Sequence, residues 1–74
     1  MVTVTDVLPK SRAAKAGIEA GDILIAINGR EIRDVLDYRF HLANETVSLS
    51  MRRGDAAYSV TIRKQEYDDI GLDF

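Results

Sequence analysis

Five consecutive apolar residues, Ile23-Leu24-Ile25-Ala26-Ile27, stand between two turn signals, Gly21-Asp22 before them and Asn28-Gly29 after. Such a run is too short for a buried helix, which needs at least about ten residues, and suits a strand covered on both faces. Covering both faces takes other elements above and below. The 74-residue chain has no cysteine, so no disulfide can substitute for that packing. A domain of this size buries only roughly 60% of the surface its unfolded chain exposes. Nearly every apolar position must therefore be used. Asn-Gly is also the strongest short hairpin signal, because both residues tolerate positive φ, and it turns the chain back into Arg30-Glu31-Ile32.

The remaining elements follow from period and punctuation. Val2 to Leu8 is β-branched and alternating, which predicts a strand ended by Pro9. Ser11 to Ala16 predicts a short helix with Ser11 as its N-cap and Gly17 as the left-handed residue that ends it. Asp34 to Ala43 predicts a longer helix, capped by Asp34 with Asp37 near the place of a capping-box acid. Its apolar residues fall on two sides, Leu36, Phe40 and Ala43 on one and Val35, Tyr38 and Leu42 on the other, with Asp37 and His41 in water. One apolar face on the core and one lining a groove is the arrangement this pattern suggests. Thr46 to Met51 and Ala57 to Arg63 alternate cleanly, placing Val47, Leu49, Met51 and then Tyr58, Val60, Ile62 inward as a second hairpin around Arg52–Ala56. Residues 66–74 read as an acidic tail or a linker to a region downstream. The expected class is α+β, mainly β: a partly open antiparallel barrel of about five strands with two helices, one domain over 1–74.

Several functions are excluded on chemistry. A net charge of −2 lacks the basic excess of an electrostatic nucleic-acid binder. No apolar run reaches the roughly 18 residues of a membrane span, and the first 15 residues lack a secretory leader pattern, so the reading at this level is cytoplasmic. His41 is the only histidine, which leaves no histidine pair for a metal and no partnered general base, and a solvated side chain is the expectation. Asp68, Asp69 and Asp73 lack the alternating oxygen pattern of a calcium loop. No cofactor and no catalytic residue is assigned. A groove is the remaining signal.

The stretch from Val7 to Gly29 resembles the PDZ family. The family pattern V-x-P-x-S-x-A-x-x-A-G-(I/L)-x-x-G-D-x-I-x-x-(I/V)-N-G is met at most points by Val7, Pro9, Ser11, Ala13, Ala16, Gly17, Ile18, Gly21, Asp22, Ile27, Asn28 and Gly29. The resemblance implies a domain that binds an extended peptide as an added strand between a sheet edge and the second helix. It also implies a loop whose N–H groups hold the peptide's terminal carboxylate, usually with the pattern G-L-G-F. Gly71-Leu72-Asp73-Phe74 is the segment that matches, at the end of the chain. The chain therefore resembles a circular permutant, with Ala57–Arg63 standing where the family's first strand belongs and the groove strand cut short at Phe74. The expected peptide-binding residues are Tyr38, Leu42, Gly71, Leu72, Asp73 and Phe74. Asp73 replaces the second glycine and adds a carboxylate beside Asp68 and Asp69. Like charges about 4 Å apart repel by around 1 kcal/mol even in water, so Asp73 is expected to bias the groove against anionic ends.

The Asp37-Tyr38-Arg39-Phe40 run and the segment Glu66–Phe74 further resemble the N-terminal module of a bacterial group of radical SAM iron–sulfur proteins. That resemblance implies an excised N-terminal domain whose partner is an extended peptide or its own downstream catalytic domain, monomeric when isolated. Two alternatives stand beside it: a purely structural domain packed on its own enzyme, and a PDZ module of a bacterial envelope protease.

Overall fold

The computed structural model describes all residues, 1–74. In chain order the elements are β1 (Val2–Thr3), β2 (Asp6–Val7), α1 (Arg12–Lys15), β3 (Ile23–Ile27), β4 (Arg30–Glu31), α2 (Val35–His41), β5 (Thr46–Arg53), β6 (Ala56–Arg63) and β7 (Leu72–Asp73). One antiparallel sheet runs β1-β3-β5-β6, with β4 on the other end of β3, and β2 pairs with β7 in a separate two-stranded sheet. The mainly-β architecture with two helices is the one expected from the sequence.

The apolar run β3 lies at the centre of the larger sheet, between β1 and β4 on one side and β5 on the other. Leu24 and Ile27 are wholly buried in the core. Asn28 (φ 52°) and Gly29 (φ 79°) form the tight turn into β4. The Asn28 side chain also bridges to β5, accepting from the Ser48 N–H at 2.8 Å. On β5, Val47, Leu49 and Met51 face inward, and across the hairpin Ile62 completes that layer. The hairpin is tighter than expected: the strands extend to the Arg53–Ala56 pair, leaving only Gly54 and Asp55 to turn.

The strand expected over Val2–Leu8 is split. β1 pairs with β3 and β2 with β7, and the chain crosses between the sheets at Val4 and Thr5. There the Val4 N–H donates to the Asp22 carbonyl (2.8 Å), the Gly21 N–H donates to the Val4 carbonyl (2.7 Å), and the Thr5 N–H donates to the Asp73 carbonyl (2.8 Å). The buried Val4 is the corner of the barrel.

Both helices start as their caps dictate. Ser11 Oγ accepts from the Ala14 N–H at 3.1 Å, and Gly17 (φ 92°) ends α1. Asp34 Oδ1 accepts from the Asp37 N–H at 3.0 Å, while Asp37 Oδ2 reaches back to the Arg33 N–H at 2.9 Å, a reciprocal cap displaced by one residue. The faces of α2 correct the expectation. His41 is buried, at 7% exposure, whereas Leu36 and Phe40 stand out at 73% and 77%. His41 follows Tyr38 by three residues and so shares its inward face, its Nδ1 lying 3.5 Å from Asn44 Nδ2.

Residues 64–74 are built into the domain. Lys64 is buried, with Nζ donating to the carbonyls of Leu42 and Gln65. Ile70 and Leu72 belong to the core, and the Ala13 N–H donates to the Ile70 carbonyl at 2.9 Å. A second anchor is Asp22. Its carboxylate accepts from Arg53 Nε (2.9 Å), Arg53 Nη2 (2.8 Å), the Tyr58 hydroxyl and the Glu19 N–H (3.0 Å). Arg53 Nη2 also donates to the Gly17 carbonyl (2.8 Å), so one guanidinium ties β5 to the turn after α1.

Candidate functional site

β7 has a strand partner on one side only, β2, so its other edge carries no strand. The residues around that edge come from two places in the sequence. α2 supplies Tyr38 and Leu42, and the final segment supplies Asp69 to Phe74. The Phe74 ring meets the Tyr38 ring edge-on, with centroids 4.8 Å apart and planes at 64°. The Tyr38 hydroxyl donates to Asp69 Oδ1 at 3.3 Å. Leu42, at the C-cap of α2, packs partly buried against the core, and its carbonyl accepts from the Tyr67 N–H at 2.8 Å. Helix α2 and the segment leading into β7 are thus fastened together through side chains and backbone.

Gly71 opens the segment with φ 95°, a conformation that side chains rarely adopt. A Cβ there would lie 2.3 Å from Ser11 Cβ, because this loop passes directly over the N-cap of α1. The Leu8 N–H donates to the Gly71 carbonyl at 2.9 Å, which fixes the loop to β2 as well. Leu72 is buried in the core. Asp73 is exposed, and its Oδ1 accepts from the Phe74 N–H at 3.0 Å.

The six residues singled out from sequence therefore gather in one region, with unequal parts. Tyr38 and Leu72 are core residues, Leu42 and Phe74 are partly buried beside them, Gly71 shapes the loop, and Asp73 faces solvent. The sequence alone does not mark Asp69 as a contact. Its Oδ1 accepts from the Gly71 N–H at 3.0 Å as well as from Tyr38. An aspartate two residues before a glycine is a sequence signal for that kind of turn. Burial, and then the charge and hydrogen bond of Asp69, push the Tyr38 hydroxyl well above the ordinary tyrosine range. Asp68, next in the chain, pairs with Arg12 at 3.4 Å. No three acidic or histidine side chains come together as an ion site, and no helix is long and apolar enough to cross a membrane.

The sequence model of the PDZ domain matches residues 3–53, well over half of the chain. The chain belongs to the PDZ family. It is an interaction module rather than a catalyst. The PDZ domain of the SdrC-like protein from Listeria monocytogenes superposes with a TM-score of 0.78, covering 96% of this chain and 83% of that one. At 22% identity that likeness speaks for the fold. Among curated proteins, a probable periplasmic serine protease (do/HhoA-like) of Haemophilus influenzae is 38% identical over 73 residues, 93% of this chain and 16% of that protein. A probable periplasmic serine endoprotease (DegP-like) of Bartonella henselae is 41% identical over 64 residues, 81% of this PDZ domain and 12% of that protein. The chain thus spans less than a fifth of the length of these relatives.

These relatives correct one expectation outright. Cytoplasmic placement rested on a missing leader pattern in the first 15 residues, and the relatives are periplasmic proteins. The opening residues of a PDZ domain that covers 16% of its relative carry no information about a leader. The radical SAM parent finds no counterpart in these proteases either.

Proposed function

We propose that this PDZ domain receives an extended peptide segment along the free edge of β7, opposite α2, and serves as a substrate- or partner-docking module of a bacterial envelope protease. The observation that carries the first part is the edge itself: β7 is paired to β2 on one side only, and α2 lies across from it through the Tyr38–Phe74 contact. A strand with unpaired N–H and C=O groups beside a helix is the geometry of strand addition, in which backbone bonds supply affinity and side-chain pockets supply selection. Tyr38, Leu42, Gly71, Leu72, Asp73 and Phe74 are the proposed contact set. The protease parent, with the periplasm as its place of work, is supported by the relatives. A radical SAM parent is supported only by the resemblance of Asp37–Phe40 and Glu66–Phe74, and the residues that follow Phe74 in the gene product separate the two. A protease domain in the same reading frame supports the first; a C-x-x-x-C-x-x-C motif downstream supports the second.

Titration of the isotope-labelled domain with a degenerate pool of decapeptides tests the groove. Saturable shifts of amides in Tyr38–Leu42 and Gly71–Phe74 are expected. Shifts confined to other surfaces, or none at all, would leave a purely structural domain as the better reading.

A further inference from the structure

The sheet edges of this domain are unequal. β1, β2, β4 and β7 are each two residues long. β6 has eight residues and a strand partner on one side only, β5. Its register with β5 runs from Arg53↔Ala56 to Thr46↔Arg63 without a bulge. The strand reads Ala-Ala-Tyr-Ser-Val-Thr-Ile-Arg, with no proline, no lysine and a single charge at its end. Shortness, proline, bulges and charge are the devices that keep an edge from pairing with another chain. The four short edges have the first of these, and β6 has none along its length. The groups it leaves open follow from its pairing. One step beyond Thr46↔Arg63, the Lys64 N–H donates to the Glu45 carbonyl at 2.8 Å. Bonded positions alternate along an antiparallel pair, so Ala56, Tyr58, Val60 and Ile62 bond toward β5. Ala57, Ser59, Thr61 and Arg63 turn their N–H and C=O groups outward, and all four residues are exposed.

We infer that β6 pairs with β6 of a second copy of this chain, antiparallel about a twofold axis at Val60, so that two domains share one continuous sheet. The sequence of the strand is what selects a second copy. Paired side chains lie on the same face of a sheet, so the axis must pass between two copies of one residue. With Val60 there, Ser59 faces Thr61 of the second copy and Ala57 faces Arg63, and all four outward residues exchange ladder bonds. An axis at Ser59 leaves Arg63 without a strand partner, and one at Thr61 leaves Ala57 without one. On the core side, Val60 meets its own copy and Tyr58 meets Ile62. Tyr58 and Val60 are half-buried in the single chain and gain apolar cover there. Arg63 and Lys64 fall opposite Ala57 and Ala56, so no like charges oppose one another. The pairing replaces the monomer expected from the sequence. It uses the larger sheet and leaves the free edge of β7, in the other sheet, unpaired, so it stands independently of the peptide-groove reading.

Sedimentation equilibrium of the 74-residue chain over a wide range of concentration gives the first test. The mass is expected to rise from 8.2 kDa to twice that value. A monomer at every concentration would overturn the inference. Ser59→Pro removes an outward N–H and no bond to β5, so it is expected to weaken the dimer by at least about tenfold. An unchanged dimer would place the contact elsewhere and sink the proposal. Should the proline variant unfold, an exchange of charges keeps the test open. Ser59→Glu with Thr61→Glu sets carboxylates opposite each other across the axis, at two exposed positions, and Ser59→Lys with Thr61→Lys does the same with ammonium groups. Each double variant alone is expected to stay monomeric, and an equal mixture of the two to form the mixed dimer. Dimers of either variant alone, or none in the mixture, would contradict the pairing. The register is read by cross-linking, because the chain has no cysteine of its own. Under mild oxidation Val60→Cys is expected to form the disulfide-linked dimer at least about tenfold faster than Ser59→Cys, whose thiol faces Thr61. Equal rates, or a faster Ser59→Cys, would overturn the axis at Val60.

Discussion

Asp22 shows how a single buried charge sets a pH response. It is 2% exposed, and Arg53 donates two hydrogen bonds to it, joined by Tyr58 and the Glu19 N–H. Those bonds, Arg53's foremost, outweigh the cost of burial and hold its carboxyl well below the ordinary carboxylate range. The unfolded chain, with an aspartate near about 3.9, binds a proton more readily than the folded one. Stability from this group is therefore complete above about pH 4 and is lost as pH falls through the lower, folded value. Asp22→Asn is expected to lower stability at pH 7 by about 2 kcal/mol, a figure reduced from that of a fully buried pair because water screens the half-exposed guanidinium. Urea titrations between pH 2 and pH 7 should show a smaller decline toward acid in the variant than in wild type. Parallel declines would mean that another carboxylate governs acid unfolding. In the sequence Gly21-Asp22 is a turn signal; that its aspartate bonds an arginine 31 positions later depends on the β3–β5 pairing and has no local signature.

At the level of elements, α2 marks the boundary of what periodicity reveals. Its seven residues include apolar or aromatic side chains on nearly every side, so the pattern admits more than one inward face. Tertiary packing chooses Tyr38 and His41 and leaves Leu36 and Phe40 in water. The consequence is measurable by chemical denaturation. Tyr38→Ala removes a buried ring and is expected to cost about 3 to 4 kcal/mol, whereas Phe40→Ala on the outer face should stay within about 0.5 kcal/mol. Equal losses would contradict the orientation of the helix. Elements whose signals are strictly local were legible: the Asn28-Gly29 turn, the Ser11 and Asp34 caps, and the alternation on β5. Val2–Leu8 was legible as extended backbone but not as two strands, because alternation does not say which sheet a strand joins. The proposed contact residues come from two separate signals, the likeness of Gly71–Phe74 to the family's loop pattern and the two-sided apolar pattern of α2 that offers Tyr38 and Leu42. The convergence on Asp69 is legible in neither, because it exists only once α2 has been laid against the loop.

For the whole molecule, the path of the chain matters more than its core. Its beginning and its end meet in the small sheet, where Asp6 pairs with Asp73 and Val7 with Leu72. Because those strands are antiparallel, Thr5 and Phe74 leave it from the same end. Tension applied between Met1 and Phe74 would meet two short pairings first, β1 on β3 at one end and β7 on β2 at the other, each two residues long against the eight-residue strands of the β5–β6 hairpin. The domain is expected to yield first at these two short pairings, at a force well below that needed to separate β5 from β6. A tweezers trace with a single high-force rupture and no earlier step would contradict this. The proposed docking edge would then be among the first parts of the fold to respond to mechanical load, letting go of its segment while the β5–β6 hairpin stays intact.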